Sequence, residues 1–402
     1  MVEHIVIIGA GQAGVQAVQS LRAEGFQGRL TMMGDEAYPP YQRPPLSKAY
    51  LSGTFARERL YLKGDEFYRE TRCELLLKTR ATAIDRAGRT VTLSDGRELA
   101  YDKLLLATGT RVRKLKCPGV DLTGVHYLRD IADVDGLQDV FRQGARIAIV
   151  GGGYIGLEVA AVGAKRGLSV TVFEAEDRLM PRTVSKPVSD FYAAEHRKAG
   201  VILKLNTLVE GFEGKSKVEA VRAGGVSYAA DLVLVGIGVV PNDELAADAG
   251  LACCDGIVVD QSTMTSDPSI FAAGDCTRHN GREGVEIRLE CVQNAIDQAK
   301  HAALAMLGKP KAYSEVPWFW SDQYDLKLQI AGLARPSDAI VLRGDPSSRK
   351  FAVFHLRDGA VAAVEAVNAA PEYLIGRKLI AGGAKLLPEK LADLSLPIKS
   401  FG

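Results

Sequence analysis

Gly9, Gly11 and Gly14 follow the apolar run HIVII in the spacing GxGxxG, and Gly151, Gly153 and Gly156 repeat the pattern after RIAIV. The spacing explains the residue type. The first glycine allows a tight turn, the second lets backbone approach a pyrophosphate, and the third lets helix pack on strand. Free N–H groups in the first helical turn then face the phosphates. An acid completes each set: Asp35 follows RLTMMG and Glu174 ends SVTVFE, at roughly the 20-residue distance from which a carboxylate holds a ribose hydroxyl. The chain therefore has the means to hold two dinucleotides.

Two dinucleotides on one chain suit electron transfer between them, a nicotinamide as donor and a flavin as acceptor. The elements that must position them are legible around the glycines. Each loop lies between a β-like run and a helix-like run, QAGVQAVQSLRAEG in the first case and YIGLEVAAVGAKRG in the second, which predicts two βαβ units on parallel sheets. Three more strand ends follow: YDKLLLATGTR with Ala107-Thr108-Gly109, DLVLVGIGVVPN, and SDPSIFAAGDC with Gly274-Asp275. The segment after residue 326 alternates and turns at Asp358-Gly359, which predicts an antiparallel sheet with a helix around EYLIGRKLIAGG.

Whole-chain figures exclude other classes. At 402 residues the chain is long for one core. Its 47% hydrophobic and 25% charged residues and mean hydropathy of +0.01 are ordinary for a globular protein. A net charge of +1 offers no global attraction to nucleic acid or to an anionic membrane. No apolar run reaches the ~18 residues of a spanning helix, and no leader pattern precedes His4. Cys73, Cys117, Cys253, Cys254, Cys276 and Cys291 lack CxxC, zinc-type or cluster-type spacing. No metal site is expected, the adjacent Cys253 and Cys254 read as inert loop thiols, and reduced cysteines fit a cytoplasmic protein.

The string RPPLSKAYLSG at 43–53, with GGGYIGLEVAA, VPNDELAADAGL and PWFWSDQYDLKLQIAGL in that order, resembles a known family. It is that of the two-dinucleotide-binding flavoproteins with the glutathione reductase fold. Within it, the strings are similar to those of the ferredoxin reductases serving bacterial cytochrome P450 and Rieske-type dioxygenase systems. The resemblance covers the whole chain. It implies an α/β fold with two Rossmann-like domains: an FAD-binding domain, 1–111 and 238–316, split by an inserted NADH-binding domain, 112–237. A C-terminal α+β domain, 317–402, would cover the flavin. Disulfide reductases and NADH peroxidases of this class carry redox cysteines near the flavin; here no cysteine lies between residues 35 and 53, and Lys48 stands in that stretch. One departure is the delay of proline after ATG to Pro118, which alters a loop and not the chemistry.

The resemblance also implies site residues. Gly9, Gly11, Ala13, Gly14 and Asp35 serve the ADP half of FAD, with Ala81 and Arg129 near it. Ala107, Thr108 and Gly109 close the first crossing, and Gly274, Asp275 and Val292 lie by the flavin. Gly151, Gly153, Gly156 and Glu174 hold NADH. Arg43, Pro45, Ile155 and Gly238 complete the cofactor-binding set. Lys48, Glu158 and Trp320 are the catalytic candidates: Lys48 and Trp320 at the flavin, Glu158 at the nicotinamide amide. Physical chemistry supports several of these. Pro44-Pro45 stiffen the chain, a lysine favours an anionic reduced flavin, and the Arg129 guanidinium suits a pyrophosphate. Plainer readings stand beside them. Lys48 and Arg129 also read as surface cations, and Glu158 as an exposed first-turn acid. Trp318 and Trp320, spaced to share one side of a strand, also read as core.

Hydride transfer between adjacent rings needs placement and no protein acid or base. With no cysteine set for a cluster in the chain, the one-electron acceptor must be external, and an acidic [2Fe–2S] ferredoxin is expected. Basic candidates for its docking face are Arg43, Arg288, Lys327 and Lys385, on a monomer or weak dimer. The rivals are a rubredoxin or quinone reductase, an NADH oxidase, and an NADH-responsive binding protein.

Overall fold

Strand His4–Ile8 is buried along nearly its whole length, as is Arg146–Val150 beyond its first residue. Such runs, without polar alternation, belong to parallel strands covered on both faces. The computed structural model describes residues 2–282 and 284–402, in two compact units.

The first unit comprises Met1–Gln42, Arg57–Arg111 and Val239–Pro317. Its five-stranded sheet runs Ile270–Ala272, Lys103–Leu106, His4–Ile8, Arg29–Met33, Cys73–Leu76, with every neighbouring pair parallel. The chain leaves His4–Ile8 toward one edge and returns on its other side. That reversal opens a crevice beyond the strand ends, where ligands of open α/β sheets bind. Helices Gln12–Ala23 and Val292–Met306 cover one face. Ile5, Ile7, Leu21, Leu30 and Met32 are fully buried there, each worth about 1.5–3 kcal/mol of transfer free energy.

The second unit comprises Arg43–Ala56, Val112–Gly238 and Trp318–Gly402. Its parallel sheet repeats that arrangement in four strands, with the edge strand Val125–His126 now first in the chain, in the order Ile202–Lys204, Ser169–Phe173, Arg146–Val150, Leu232–Val235, Val125–His126. A second sheet, antiparallel, orders Trp318–Gln323, Leu326–Gly332, Ala360–Val367, Lys350–Arg357, Ala339–Asp345. Helix Ala370–Gly382 packs on it. The turn expected at Asp358-Gly359 is there, with positive φ at both residues, as a tight hairpin requires. Leu157 and Tyr192 of the nucleotide-type half share a core with Leu326, Phe351 and Val353 of the antiparallel sheet. Residues 43–56 are bound into this unit: Tyr50 Oη donates to Asp135 (2.7 Å), Gln138 Nε2 to Tyr50 O (2.6 Å), and Arg166 Nη1 to Leu51 O (3.2 Å). Among the described residues no helix is long and apolar enough to cross a membrane.

Candidate functional site

The two glycine loops have the same construction at atomic level. Gly9 N donates to Met33 O at 2.8 Å, and Gly151 N to Phe173 O at 2.8 Å. Gly9 has φ +119°, and a Cβ there would lie 2.1 Å from Ala107 O; Gly151 has φ +106°, and a Cβ would lie 2.4 Å from Gly236 O. Both need glycine for conformation and for space. The third glycines, Gly14 and Gly156, allow the close helix approach: an added Cβ would meet the carbonyl oxygen of Gly9 at 2.2 Å and of Gly151 at 2.4 Å.

The middle glycines differ in kind. Beside Gly11 and Gly153 an added Cβ meets nothing within 4 Å. Each is the N-cap of its helix, no side chain caps either helix, and neither has an acid in its first turn. By contrast, helix Ile131–Gln138 is closed by an Asp130–Asp133 capping box. Open space before uncapped N–H groups is the donor set a pyrophosphate needs. The residues fit a dinucleotide at both loops.

The acids sit differently. The shared Gly9 and Gly151 hydrogen bonds make Gly34 the counterpart of Glu174. Glu174 is buried against its loop, accepting from Gly152 N at 2.6 Å and Glu176 N at 2.9 Å. A carboxylate oxygen has two acceptor sites, so each retains one. At Gly34 a side chain is excluded, since its Cβ would lie 2.6 Å from that of Ala10. Asp35 falls one residue later, 57% exposed and 3.2 Å from Arg80 Nη2. Arg178 turns its guanidinium to the carbonyls of Val184 and Pro181, both at 2.7 Å.

Around the first loop, Gly274 packs between the opening turns of two helices, its added Cβ 3.4 Å from that of Ala13 and 3.5 Å from that of Ala295. Thr108 and Asn242 exchange hydrogen bonds of 2.6 and 2.9 Å, Asn242 N donates to Gly109 O at 3.0 Å, and Thr110 Oγ1 lies 3.5 Å from Asp275 Oδ2. Val292 begins its helix just after Cys291, the N-cap. Ala81 is buried at the start of strand Ala81–Asp85.

In the second unit the structure joins residues that the sequence leaves far apart. Pro44–Ser47 form a short 3₁₀ turn, and the residues ending it converge on Glu158. Lys48 Nζ lies 2.7 Å from Glu158 Oε2, with side chains 20% and 4% exposed. Ser47 Oγ donates to the same oxygen at 2.5 Å, and Ser321 Oγ to Oε1 at 2.7 Å. Lys48 Nζ also donates to Pro44 O at 3.1 Å. Lys48 is thus not a free surface cation, and Glu158 is not an exposed first-turn acid. Ser47 and Ser321 are additions that the sequence reading missed. Ser321 was visible only as the residue on the opposite strand face from Trp318 and Trp320. Those two rings do share a side, 5.7 Å apart. Arg43 Nη1 donates to Arg129 O at 2.7 Å, Ile155 is 40% exposed in its helix's first turn, and Gly238 lies beside the Arg182 guanidinium. In the first unit, Arg288 is 13% exposed and paired with Asp255 and Glu290, so its charge is spent internally.

Thiol chemistry has little support at this site. Burial pushes the Cys291 and Cys253 thiols up to about 11, and Cys276 is raised by the same cause.

Paired glycine loops on paired parallel sheets define a protein with two dinucleotide-type sites, and comparison with known proteins makes it a flavin- and nicotinamide-dependent oxidoreductase. Residues 3–302 match the pyridine nucleotide-disulphide oxidoreductase family, and residues 318–402 the reductase C-terminal family. The chain belongs to the pyridine nucleotide-disulphide oxidoreductases and takes FAD and NAD(H) as cofactors. It is 45% identical over 395 residues to the probable ferredoxin reductase CtmF of Castellaniella defragrans, covering 97% of each chain. It is 41% identical over 407 residues to putidaredoxin reductase CamA of Pseudomonas putida, covering 99% of this chain and 96% of that one. Among solved structures, the reductase in a covalent putidaredoxin reductase–putidaredoxin complex matches with TM-score 0.97 at 40% identity, over 99% of this chain and 98% of that one.

Proposed function

We propose that this protein is an NADH-dependent ferredoxin reductase that feeds a [2Fe–2S] ferredoxin of a cytochrome P450 or Rieske-type dioxygenase system. The observation that carries the reading is the Lys48–Glu158 pair. Lys48 stands in the stretch where disulfide-using relatives need a cysteine, and Glu158 stands on the helix opened by the second glycine loop. FAD, when bound, supplies a hydride acceptor that gives up electrons singly. The chain's own residues position and insulate. Gly9, Gly11, Gly14, Ala13 and Asp35 take the ADP half of FAD, with Ala81 and Arg129 nearby. Ala107, Thr108, Gly109, Gly274, Asp275 and Val292 follow it toward the ring. Gly151, Gly153, Ile155, Gly156, Glu174 and Gly238 hold NADH, and Glu158 accepts from the nicotinamide amide. Arg43 and Pro45 complete the cofactor-binding set, and Lys48 and Trp320 meet the flavin. The protein acts in the cytoplasm as a monomer or weak dimer; free thiols at all six cysteines suit that compartment.

The test is turnover in air with and without an acidic [2Fe–2S] ferredoxin. NADH consumption is expected to be slow alone and to rise steeply with ferredoxin. Fast consumption without ferredoxin makes the protein an oxidase. Docking to an acidic partner relies on exposed cations such as Lys327 and Lys385. Rim charges chiefly set the association rate. Ferredoxin-coupled turnover is therefore expected to fall as salt shortens the Debye length below ~10 Å, while reduction by NADH alone changes little. A flat salt profile contradicts electrostatic docking.

Glu174 sets the expected nucleotide choice. Its remaining acceptor sites suit ribose hydroxyls, its charge opposes a 2′-phosphate, and Arg178 is engaged elsewhere. NADH is expected to exceed NADPH by at least about tenfold in kcat/KM, read from initial rates with both. Equal efficiencies contradict this role.

A further inference from the structure

Polar contacts do not stop at the Glu158 carboxylate. Ser321, its partner on Oε1, also accepts from Gln323 Nε2 at 3.2 Å. Gln323 Oε1 lies 2.8 Å from His196 Nε2, and His196 Nδ1 lies 2.9 Å from Tyr324 Oη. Ser321, Gln323 and His196 are fully buried. Ser321 and Gln323 share one face of strand Trp318–Gln323, while His196 comes from helix Lys186–Lys198.

Proton counting fixes the direction of each bond from Glu158 as far as His196 Nε2. A hydroxyl has one proton, and the carboxylate ion-paired to Lys48 can only accept. Ser321 therefore donates to Glu158 and must accept from Gln323. That turns the Gln323 NH₂ toward Ser321 and its carbonyl toward His196, an amide orientation set by the network. His196 Nε2 must then carry a proton. In a neutral ring Nδ1 is left to accept from the Tyr324 hydroxyl. Burial holds the His196 imidazole below its ordinary range, against a smaller opposing effect from Gln323 and Glu195, consistent with the neutral ring. Four donors thus run head to tail toward one carboxylate, and aligned bonds of this kind reinforce one another.

The acceptor count gives the chain a consequence. Of the carboxylate's roughly four acceptor sites, Ser47 and Lys48 occupy both on Oε2 and Ser321 occupies one on Oε1. The site left is on Oε1, beside Ser321. We propose that Tyr324, His196, Gln323 and Ser321 form a positioning chain that aims this last acceptor site of Glu158 at the nicotinamide carboxamide, with His196 held as the neutral Nε2–H tautomer. The proposal rests on the role given above to Glu158.

Two measurements on the FAD-loaded protein test it. Long-range ¹H–¹⁵N spectra of protein labelled in histidine, assigned with a His196→Gln variant, report the ring. Lys48, Tyr154 and Tyr192 are the titratable groups facing Glu158, and Glu195 and Tyr324 those facing His196. The expected ring is protonated on Nε2 alone throughout the neutral range. An imidazolium or an Nδ1–H tautomer overturns the proposal, because neither leaves Nδ1 able to accept from Tyr324. In stopped flow at saturating NADH, Ser321→Ala, which loses one hydrogen bond to a charged group, and Gln323→Met, which breaks the two neutral bonds to Ser321 and His196, are each expected to slow flavin reduction about tenfold. Wild-type rates in both overturn it. Tyr324→Phe removes one hydroxyl from a half-buried ring and serves if a core variant does not fold. About threefold slowing supports the chain, and an unchanged rate overturns it. Glu158→Gln separates the two layers: if it is slow while the chain variants are normal, only the chain fails; if it reduces at the wild-type rate, the role of Glu158 fails as well.

Discussion

Gly9→Ala is expected to purify colourless and to take up little added FAD, while Gly151→Ala purifies yellow and is reduced by NADH at least about a hundredfold more slowly. The added methyl at Gly9 would overlap Ala107 O at 2.1 Å, and that at Gly151 would overlap Gly236 O at 2.4 Å. In each case a backbone carbonyl is the obstacle. Gly236 is fixed on the sheet through its N–H to Val150 O at 2.8 Å, and Ala107 through its N–H to Ile8 O at 2.7 Å. A non-glycine residue at positive φ adds roughly 1–3 kcal/mol of strain. The loop must open, and its N–H groups then leave the phosphates. Flavin absorbance after purification and single-turnover reduction by NADH read the two effects separately. Flavin retained by Gly9→Ala, or lost from Gly151→Ala, would exchange or merge the roles of the two loops.

Glu158→Gln and Lys48→Ala carry the next largest effects. Glu158→Gln keeps the shape but weakens an acceptor held by three donors. Reduction by NADH is expected to slow by about a hundredfold, as misplacement by an ångström does, with FAD content unchanged. Lys48→Ala leaves a carboxylate that is 4% exposed without its cation, and breaking a buried pair from one side costs about 3–5 kcal/mol. Ser47 and Ser321 keep donating, so the lower figure applies. The midpoint of thermal unfolding should fall, and the double variant Lys48→Ala/Glu158→Gln should recover most of the loss, because it leaves no buried unpaired charge. A shifted flavin reduction potential in Lys48→Ala places the ammonium at the flavin. An unchanged potential and unchanged half-reactions would reduce Lys48 to a structural partner of Glu158.

The glycine loops were legible because their code is local. A turn, a close approach and a helix packing on a strand each demand glycine within six residues, and Gly9, Gly14, Gly151 and Gly156 meet the contacts expected of them. The tryptophan pair and the Asp358-Gly359 hairpin were legible for the same reason. The acids show where counting along the chain stops. Asp35 and Glu174 lie at similar distances from their loops, yet the hydrogen-bond register puts Gly34 at the place of Glu174, and only the packing of Ala10 reveals why. Lys48 and Glu158 were each legible as candidates, but their union was not. Nothing in RPPLSK or in YIGLEV marks one as the partner of the other. Ser321, Gln323 and His196 carry no local signature, since a buried polar residue is recognised by what surrounds it. Arg288 illustrates the reverse: a cation in sequence, it is neutralised by Asp255 and Glu290 in space.

Electron accounting under anaerobic conditions tests the central claim most directly. Catalytic protein, limiting NADH and excess oxidised [2Fe–2S] ferredoxin are mixed, and both absorbances are followed. The expected result is two ferredoxins reduced for each NADH consumed, because one hydride carries two electrons and each cluster takes one. NADH consumed while the ferredoxin stays oxidised, or consumed only when oxygen or a quinone is admitted, would contradict it.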